Sequence, residues 1–239
     1  VRLENYLQKL EQRWPGTVTN PRFPLYWEQL KTYLADPGAE KQVSLWPCLD
    51  EKPPDLFYFY QDLWAAHEAL LTNPSLLVDV GSTALLVGFL ALFMRVVSID
   101  IRPLRARTAN LQSLQADIRS LPFSDESLEM LTSMCVIEHV GLGRYGGALD
   151  PGGSRRAFRE IGRVVKAGGH VIFSLPLGNE SGLQFNAHRV FTKTQVLNEL
   201  PEFHLQRELF LFPHPGSEEM MVGLKPTQYC VWCAHMVKD

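Results

Sequence analysis

The sequence predicts an α/β fold, a mostly parallel sheet with helices on both faces, preceded by a helical extension. Three observations carry this. From Leu76 onward, short apolar runs alternate with helical patterns, the signature of parallel strands joined by crossover helices. The run "VDVGSTALLVGFL", Val78 to Leu90, reads as a strand, a tight turn at Gly81 and a helix. Ahead of it, residues 1–70 are helical and aromatic-rich, which divides the chain into a 1–70 extension or lid and a 71–239 α/β domain.

Each element follows in order. "VRLENYLQKLEQRW" and "LYWEQLKTYLAD" have amphipathic spacing and stop at Pro15-Gly16 and Pro37-Gly38; "YFYQDLWAAHEALL" follows the Pro53-Pro54 break. Next come the strand "LLVDV", the helix "TALLVGFLALFM", the strand "RVVSID", a short helix near "RPLRARTAN", and the strands "LQSLQAD" and "SLEMLTSM". A helix over "GSRRAFREIGRVVK", a strand "HVIFSLP", a helix from "TKTQVLNEL" and two late strands, "FHLQRELFLF" and "QYCVWCAHMV", complete the chain. The helix after Gly81 is apolar nearly all round, so burial on every side is expected, with Gly88 allowing close approach to the sheet. Arg156, Arg159 and Arg163 share one helical face and read as a solvated surface.

Composition narrows the function classes. A chain of 239 residues with 46% hydrophobic content can bury a full core. Its 23 basic against 26 acidic residues leave a net charge of -3, which gives no electrostatic footprint for nucleic acid. The uncharged run between Asp79 and Arg95 falls short of the roughly 20 apolar residues of a transmembrane helix and reads as core. No leader pattern opens the chain, and its start at Val1 without Met reads as a trimmed or excised piece. Four cysteines make no disulfide framework at this size; Cys230 and Cys233 lie three apart on a strand and so point to opposite faces, which disfavours a metal hook. A reduced, cytoplasmic setting is expected.

Ligands of open α/β sheets sit beyond the carboxyl ends of the strands. Asp100 ends "RVVSID" 19 positions after Gly81, the spacing at which an acid takes ribose hydroxyls, unless it is an ordinary strand-end turn residue. Asp117 ends the next strand, where its carboxylate can accept an adenine amine while the Ile118 N–H donates to a ring nitrogen; the plainer reading is a turn cap. His139 in "CVIEHVG" is the histidine placed at this edge, suited as a general base by its ordinary pKa of about 6.5, with Glu138 beside it to orient it or the reverse. Cys135 and Glu138 are too few ligands for a metal, and none is expected.

"VDVGS", "VVSIDIR", "LQADIRSLPFSDESLEML", "CVIEHVG" and "VVKAGGHVIFSLP", in this order, resemble the class I S-adenosylmethionine-dependent methyltransferases. "SIDIRPL", "CVIEHVGLGRYGGALDPGGSRRAF" and "HRVFT" look like signatures of a methyltransferase-like family (DUF268-like) associated with polysaccharide biosynthesis. The resemblance covers roughly Tyr58 to Asp239 and implies a Rossmann-like sheet of seven strands with an antiparallel last one. It implies S-adenosylmethionine as cofactor, with Asp79 and Gly81 by the methionine moiety, Asp100 on the ribose, Ile101 against adenine, Asp117 and Ile118 at the adenine edge, and Met134 beside the cofactor. Ser82 and Thr83 stand where such enzymes often carry further glycines, and Ser82 is placed to cap the helix.

The glycine-rich "GLGRYGGALDPGGS" reads as a substrate wall in which Arg144, Tyr145 and Asp150 contact a polyol, and His188 and Arg189 close the same pocket. The expected acceptor is a sugar or glycan hydroxyl, within or beside a polysaccharide-synthesising protein or complex. A small phenolic or carboxylic acceptor, a nicotinamide-dependent oxidoreductase and a non-catalytic binding module are the alternatives. The nicotinamide reading calls for a GxGxxG turn, which this chain lacks.

Overall fold

The computed structural model describes residues 4–13, 15–35, 55–213, 220–223 and 229–239. The chain divides into two compact units, Val1–Pro54 and Asp55–Asp239. In the first, helices α1 (Glu4–Arg13) and α2 (Phe23–Ala35) bury Leu10 and Phe23 against Leu7, Tyr26 and Trp27. The Glu11 carboxylate accepts the N–H groups of Gly16 and Val18, which fixes the turn after α1. The Pro37-Gly38 stop and the Pro53-Pro54 break lie outside the described residues.

The second unit opens with α3 (Leu56–Thr72), capped at its start by Asp55 and closed by Asn73 in the left-handed conformation. Sequence grouped this helix with the extension. In the structure its Ala65, Ala66 and Ala69 are buried against the sheet, so it belongs to the α/β unit and the boundary falls at residue 54/55.

The sheet is built from β1 (Leu77–Val80), β2 (Val96–Asp100), β3 (Leu111–Gln115), β4 (Leu128–Met134), β5 (Val165–Gly178), β8 (Phe203–Pro213), β9 (Met220–Gly223) and β10 (Tyr229–Lys238). A separate hairpin pairs β6 (Gly182–Gln184) with β7 (His188–Val190). The order is β3-β2-β1-β4-β5-β10-β8-β9; the first five strands run parallel, while β10 is antiparallel to both β5 and β8. The antiparallel last strand is as expected, but the sheet has eight strands rather than seven, because β9 folds back on the end of β8.

Alternation along the strands feeds two cores. Val78 and Val80 face a core completed by α5 (Gly153–Val164), through Ala157, Phe158 and Ile161, and by α6 (Lys193–Glu199), through Val196. Leu77 faces the opposite core with Met130, Ile172, α3 and α4 (Ala84–Leu90). Cys230 and Cys233 fall into different clusters, as residues three apart on a strand must.

Three local expectations are corrected. Helix α4 is not buried all round: Leu86, Val87 and Leu90 pack on the sheet, whereas Leu85 is 86% and Leu92 72% exposed, and the helix ends at Leu90. One face is all a helix on an open sheet can bury, and a Cβ on Gly88 would meet nothing within 4 Å, so no close approach to the sheet depends on this glycine. No helix forms over "RPLRARTAN"; the segment is irregular, held by a turn at Thr108–Leu111, and lacks the apolar period that would seat a helix. Arg163 is not a solvated residue: it ties Glu160 and Asp125 to the carbonyls of Leu121 and Phe123, pinning the loop before β4. No helix among the described residues is long and apolar enough to cross a membrane.

Candidate active site

A cleft of about 280 Å³ opens at the carboxyl ends of β1, β2 and β4. Of the residues singled out by sequence, Gly81, Ser82, Asp100, Ile101, Asp117, Ile118, Met134, His139, Arg144 and Tyr145 line it. Asp79 and Glu138 are buried and do not line it, while Asp150, His188 and Arg189 stand outside it.

At Gly81 the chain leaves β1 with φ 73, and a Cβ there would meet the Val136 methyls at 3.1 Å. Only glycine takes this turn without strain. Ser82 does not cap α4. Thr83 does, accepting the Leu86 N–H at 3.2 Å, and its hydroxyl donates to Asp62 at 2.6 Å. The Ser82 hydroxyl instead accepts the Met134 N–H at 3.0 Å, stitching the turn to the end of β4. Beneath them, Asp79 accepts the Thr132 hydroxyl at 2.7 Å and the Ser82 N–H at 3.2 Å. Burial pushes its pKa up to about 6 against those hydrogen bonds.

The tripeptide Asp-Ile-Arg occurs at the ends of two neighbouring strands, at Asp100–Arg102 and Asp117–Arg119, and folds the same way both times. Asp100 Oδ1 accepts the Arg102 N–H at 2.6 Å and Asp117 Oδ1 accepts the Arg119 N–H at 2.9 Å. The side chains then diverge. Arg119 turns back on Asp117, donating through Nε and Nη2, and reaches Asp150 at 2.8 Å with Nη1. The Arg119 guanidinium holds the Asp117 carboxyl below its usual range. Arg102 lies 4.0 Å from Asp100 and stacks over the Tyr145 ring at 4.4 Å.

Asp150 is a keystone of the glycine-rich loop. It accepts from Arg119, Arg156 and the Gly152 N–H, and the arginines, Arg156 foremost, depress its pKa to about 2. A Cβ on Gly141, whose φ is 80, would overlap the Asp150 carbonyl, so the base of the loop closes only on glycine. Arg189 braces the same loop, donating to the Val140 carbonyl at 2.6 Å and to the Ser154 hydroxyl at 3.0 Å. His188 stacks edge-on 6.4 Å from the His139 ring.

His139 follows β4 on a short 3-10 turn, Ile137–His139. Its Nδ1 lies 2.7 Å from the Ala187 carbonyl oxygen, which can only accept, and 3.1 Å from Arg144 Nη1, which can only donate; the shorter contact favours the proton on Nδ1 and the lone pair on Nε2. Arg144 donates to the same carbonyl at 2.6 Å and stacks on Tyr145 at 4.6 Å. Burial, with Arg144 and His188 nearby, lowers the His139 pKa to about 4 against the opposing Ala187 hydrogen bond. Glu138 Oε1 lies 3.7 Å from His139 Nε2, and burial raises its carboxyl to about 8, so the acid is protonated at neutral pH. Its Oε2 is buried with no hydrogen-bond partner among the described residues.

Sequence reasoning missed Tyr58, Cys135, Arg102 and Arg119 as cleft residues. The repeated Asp-Ile-Arg was the available signal for the two arginines. Tyr58 had none, because only the packing of α3 on the sheet brings it to the site. Burial pushes its hydroxyl up to about 12 and raises the Cys135 thiol, so both stay neutral.

Residues 92–203 match a family model described as "Caenorhabditis protein of unknown function, DUF268". No curated protein sequence matches the chain. Among solved structures, the chain is similar to Burkholderia thailandensis 1,6-didemethyltoxoflavin-N1-methyltransferase, whose structure holds 1,6-didemethyltoxoflavin and S-adenosylhomocysteine. Identity is 12%, over 77% of this chain and 81% of that one, with TM-score 0.54. It is also similar to an S-adenosylmethionine dependent methyltransferase from Listeria monocytogenes, described as putative (12% identity, 76% and 99% coverage, TM-score 0.52). A third similar structure is the [4+2]-cyclase SpnF (18% identity, 82% and 74% coverage, TM-score 0.52). Sheet order, site position and these likenesses agree that the chain has the fold of the class I S-adenosylmethionine-dependent methyltransferases.

Proposed function

We propose that the chain is an S-adenosylmethionine-dependent methyltransferase acting on a sugar or glycan hydroxyl, with His139 as general base. The observation that carries this reading is the 2.7 Å contact of His139 Nδ1 with the Ala187 carbonyl oxygen: it takes up the Nδ1 proton and leaves Nε2 as the basic nitrogen of a residue that lines the cleft.

The cleft fits the cofactor. Asp100 uses Oδ1 on its own turn, and Oδ2 is left to accept from ribose hydroxyls. Ile101 and Ile118 supply apolar walls for adenine, with Asp117 and the Ile118 N–H at its edge. Gly81 lets the chain pass close to the methionine moiety, above buried Asp79 and the Ser82–Met134 stitch. When bound, the cofactor supplies a sulfonium-activated methyl group. His139 Nε2 takes the proton that the acceptor oxygen sheds as the O–C bond forms and the C–S bond breaks. Because His139 is neutral at pH 7, the lone pair is present without prior deprotonation. Glu138, protonated beneath it, is a positioning residue. Arg144 and Tyr145 flank the acceptor, while Asp150 and Arg189 hold the loop that carries them and His188 packs edge-on against His139.

The same reading sets the reaction in the cytoplasm, within or beside a polysaccharide-synthesising system, as the sequence resemblance implies. The test is incubation of the chain with methyl-labelled S-adenosylmethionine and sugars bearing free hydroxyls. Label recovered in an alkali-stable methyl ether supports it; label in an alkali-labile ester or on nitrogen contradicts it.

A further inference from the structure

The charges lining the cleft do not balance. Two carboxylates, Asp100 and Asp117, face three guanidiniums, Arg102, Arg119 and Arg144. Arg119 is paired with Asp117 at 2.6 Å, and Arg102 stands 4.0 Å from Asp100. Arg144 is left over. Among the described residues it forms no ion pair: it donates to the neutral Ala187 carbonyl and stacks on Tyr145. The two nearest acids in the sequence do not serve it: Glu138 is buried beside His139 and Asp150 is taken by Arg119 and Arg156.

Arg144 is also fixed in place. Tyr145 takes a guanidinium over its ring from each side chain, Arg102 at 4.4 Å and Arg144 at 4.6 Å, and the Ala187 carbonyl holds Nη1. Arg144 Nη1 lies 3.1 Å from His139 Nδ1, so any group that Arg144 binds sits within one residue's breadth of the candidate base. A half-buried, rigid guanidinium without a counter-charge is a receptor for a planar or tetrahedral anion. The carboxylate of the methyl donor is offset by its own ammonium, and its sulfonium leaves it net positive, so it brings no net counter-charge to the cleft.

We infer that the acceptor carries an anionic group, a carboxylate or phosphate, which Arg144 binds while His139 faces the hydroxyl to be methylated. This deepens the methyltransferase reading and rests on it. It also answers a difficulty in that reading. The Arg144 charge helps depress the basicity of His139, and an anion docked on Arg144 screens that charge, so the base strengthens only when the acceptor is in place.

The test uses the full chain saturated with S-adenosylhomocysteine and ligand-observed NMR titration of two matched pairs: glucuronate against glucose, and 4-hydroxybenzoate against 4-hydroxybenzyl alcohol. The expected result is a roughly tenfold or greater preference for the acid in at least one pair; which pair shows it separates an acidic sugar from a phenolic acid. The preference is expected to vanish in Arg144→Gln and to persist in part in Arg144→Lys. If Arg144→Gln no longer binds S-adenosylhomocysteine, Arg144→Lys decides, and an acid preference kept there but weakened supports the inference. Equal binding of acid and neutral partners, no binding of any probe, or a preference indifferent to Arg144 overturns it and leaves the methyltransferase reading standing. Failure of the wild-type chain to bind S-adenosylhomocysteine overturns both.

Discussion

His139 Nδ1 lies 2.7 Å from the carbonyl oxygen of Ala187, a residue 48 positions further along the chain in the turn between β6 and β7. That backbone oxygen favours the proton on Nδ1, in which form Nε2 is the base. It also anchors Arg144, so the hairpin orients both groups beside Tyr145 in the cleft.

Replacing His139 should separate chemistry from binding. His139→Ala is expected to lower the rate of methyl transfer by about 10²–10⁴-fold, the usual contribution of a general base. The affinity for S-adenosylhomocysteine should stay within about twofold. In the wild type, kcat/KM reports the free enzyme, where the His139 pKa is lowered to about 4. His139 should therefore put no acid limb on kcat/KM above about pH 5, its own limb appearing only as pH approaches 4. A limb centred near 6.5 that persists in Asp79→Asn, which removes the other group titrating near 6, would show an unperturbed histidine.

Glu138 makes the opposite demand on stability. Burial raises its carboxyl from 4.5 to about 8, so the folded chain keeps a proton that the unfolded chain releases. The associated stability is fully present below pH 4.5 and is lost as pH rises to about 8, on the order of a few kcal/mol. Glu138→Gln has no proton to lose. Its urea midpoint should exceed that of the wild type at pH 8 and converge on it toward pH 5.

Asp150 titrates the other way. The guanidiniums of Arg156 and Arg119 depress its pKa to about 2, so its contribution is present above the ordinary carboxylate range and is lost as pH falls toward 2. Asp150→Asn should lower the thermal midpoint at pH 7, with a smaller deficit at pH 3, read by circular dichroism.

The exposed and buried faces of α4 give a test of the fold. Leu90 is fully buried and Leu90→Ala should cost about 2–5 kcal/mol. Leu85 is 86% exposed, and Leu85→Ser should change stability by no more than about 0.5 kcal/mol. Similar costs at both positions would mean that α4 is buried all round, as its composition alone suggests.

That contrast shows what was legible in the sequence. The mostly parallel sheet and the position of the cleft follow from the alternation of elements, and the spacing of Gly81 and Asp100 brings both to one edge because β1 and β2 are adjacent parallel strands. Burial of α4 was not legible, since hydrophobicity reports what a helix can bury and the neighbours decide what it does bury. Thr83 rather than Ser82 caps α4 because the Ser82 hydroxyl is claimed by β4, a contact 52 residues away in sequence. Asp150 and Arg189 looked like acceptor contacts because they are polar residues in or near a glycine-rich loop; the partners that draw them out of the cleft, Arg119 and Ser154, come from other elements.

The central claim is that the turn at Gly81 and the acid at Asp100 form a methyl-donor site. Calorimetric titration of the full chain with S-adenosylmethionine, S-adenosylhomocysteine and NAD(P), beside Asp100→Ala, tests it most directly. The account predicts that only the two sulfur cofactors bind and that Asp100→Ala weakens them about tenfold or more, the loss of charge-assisted bonds to a ribose diol. Binding of NAD(P), or sulfur-cofactor affinity indifferent to Asp100, would contradict it.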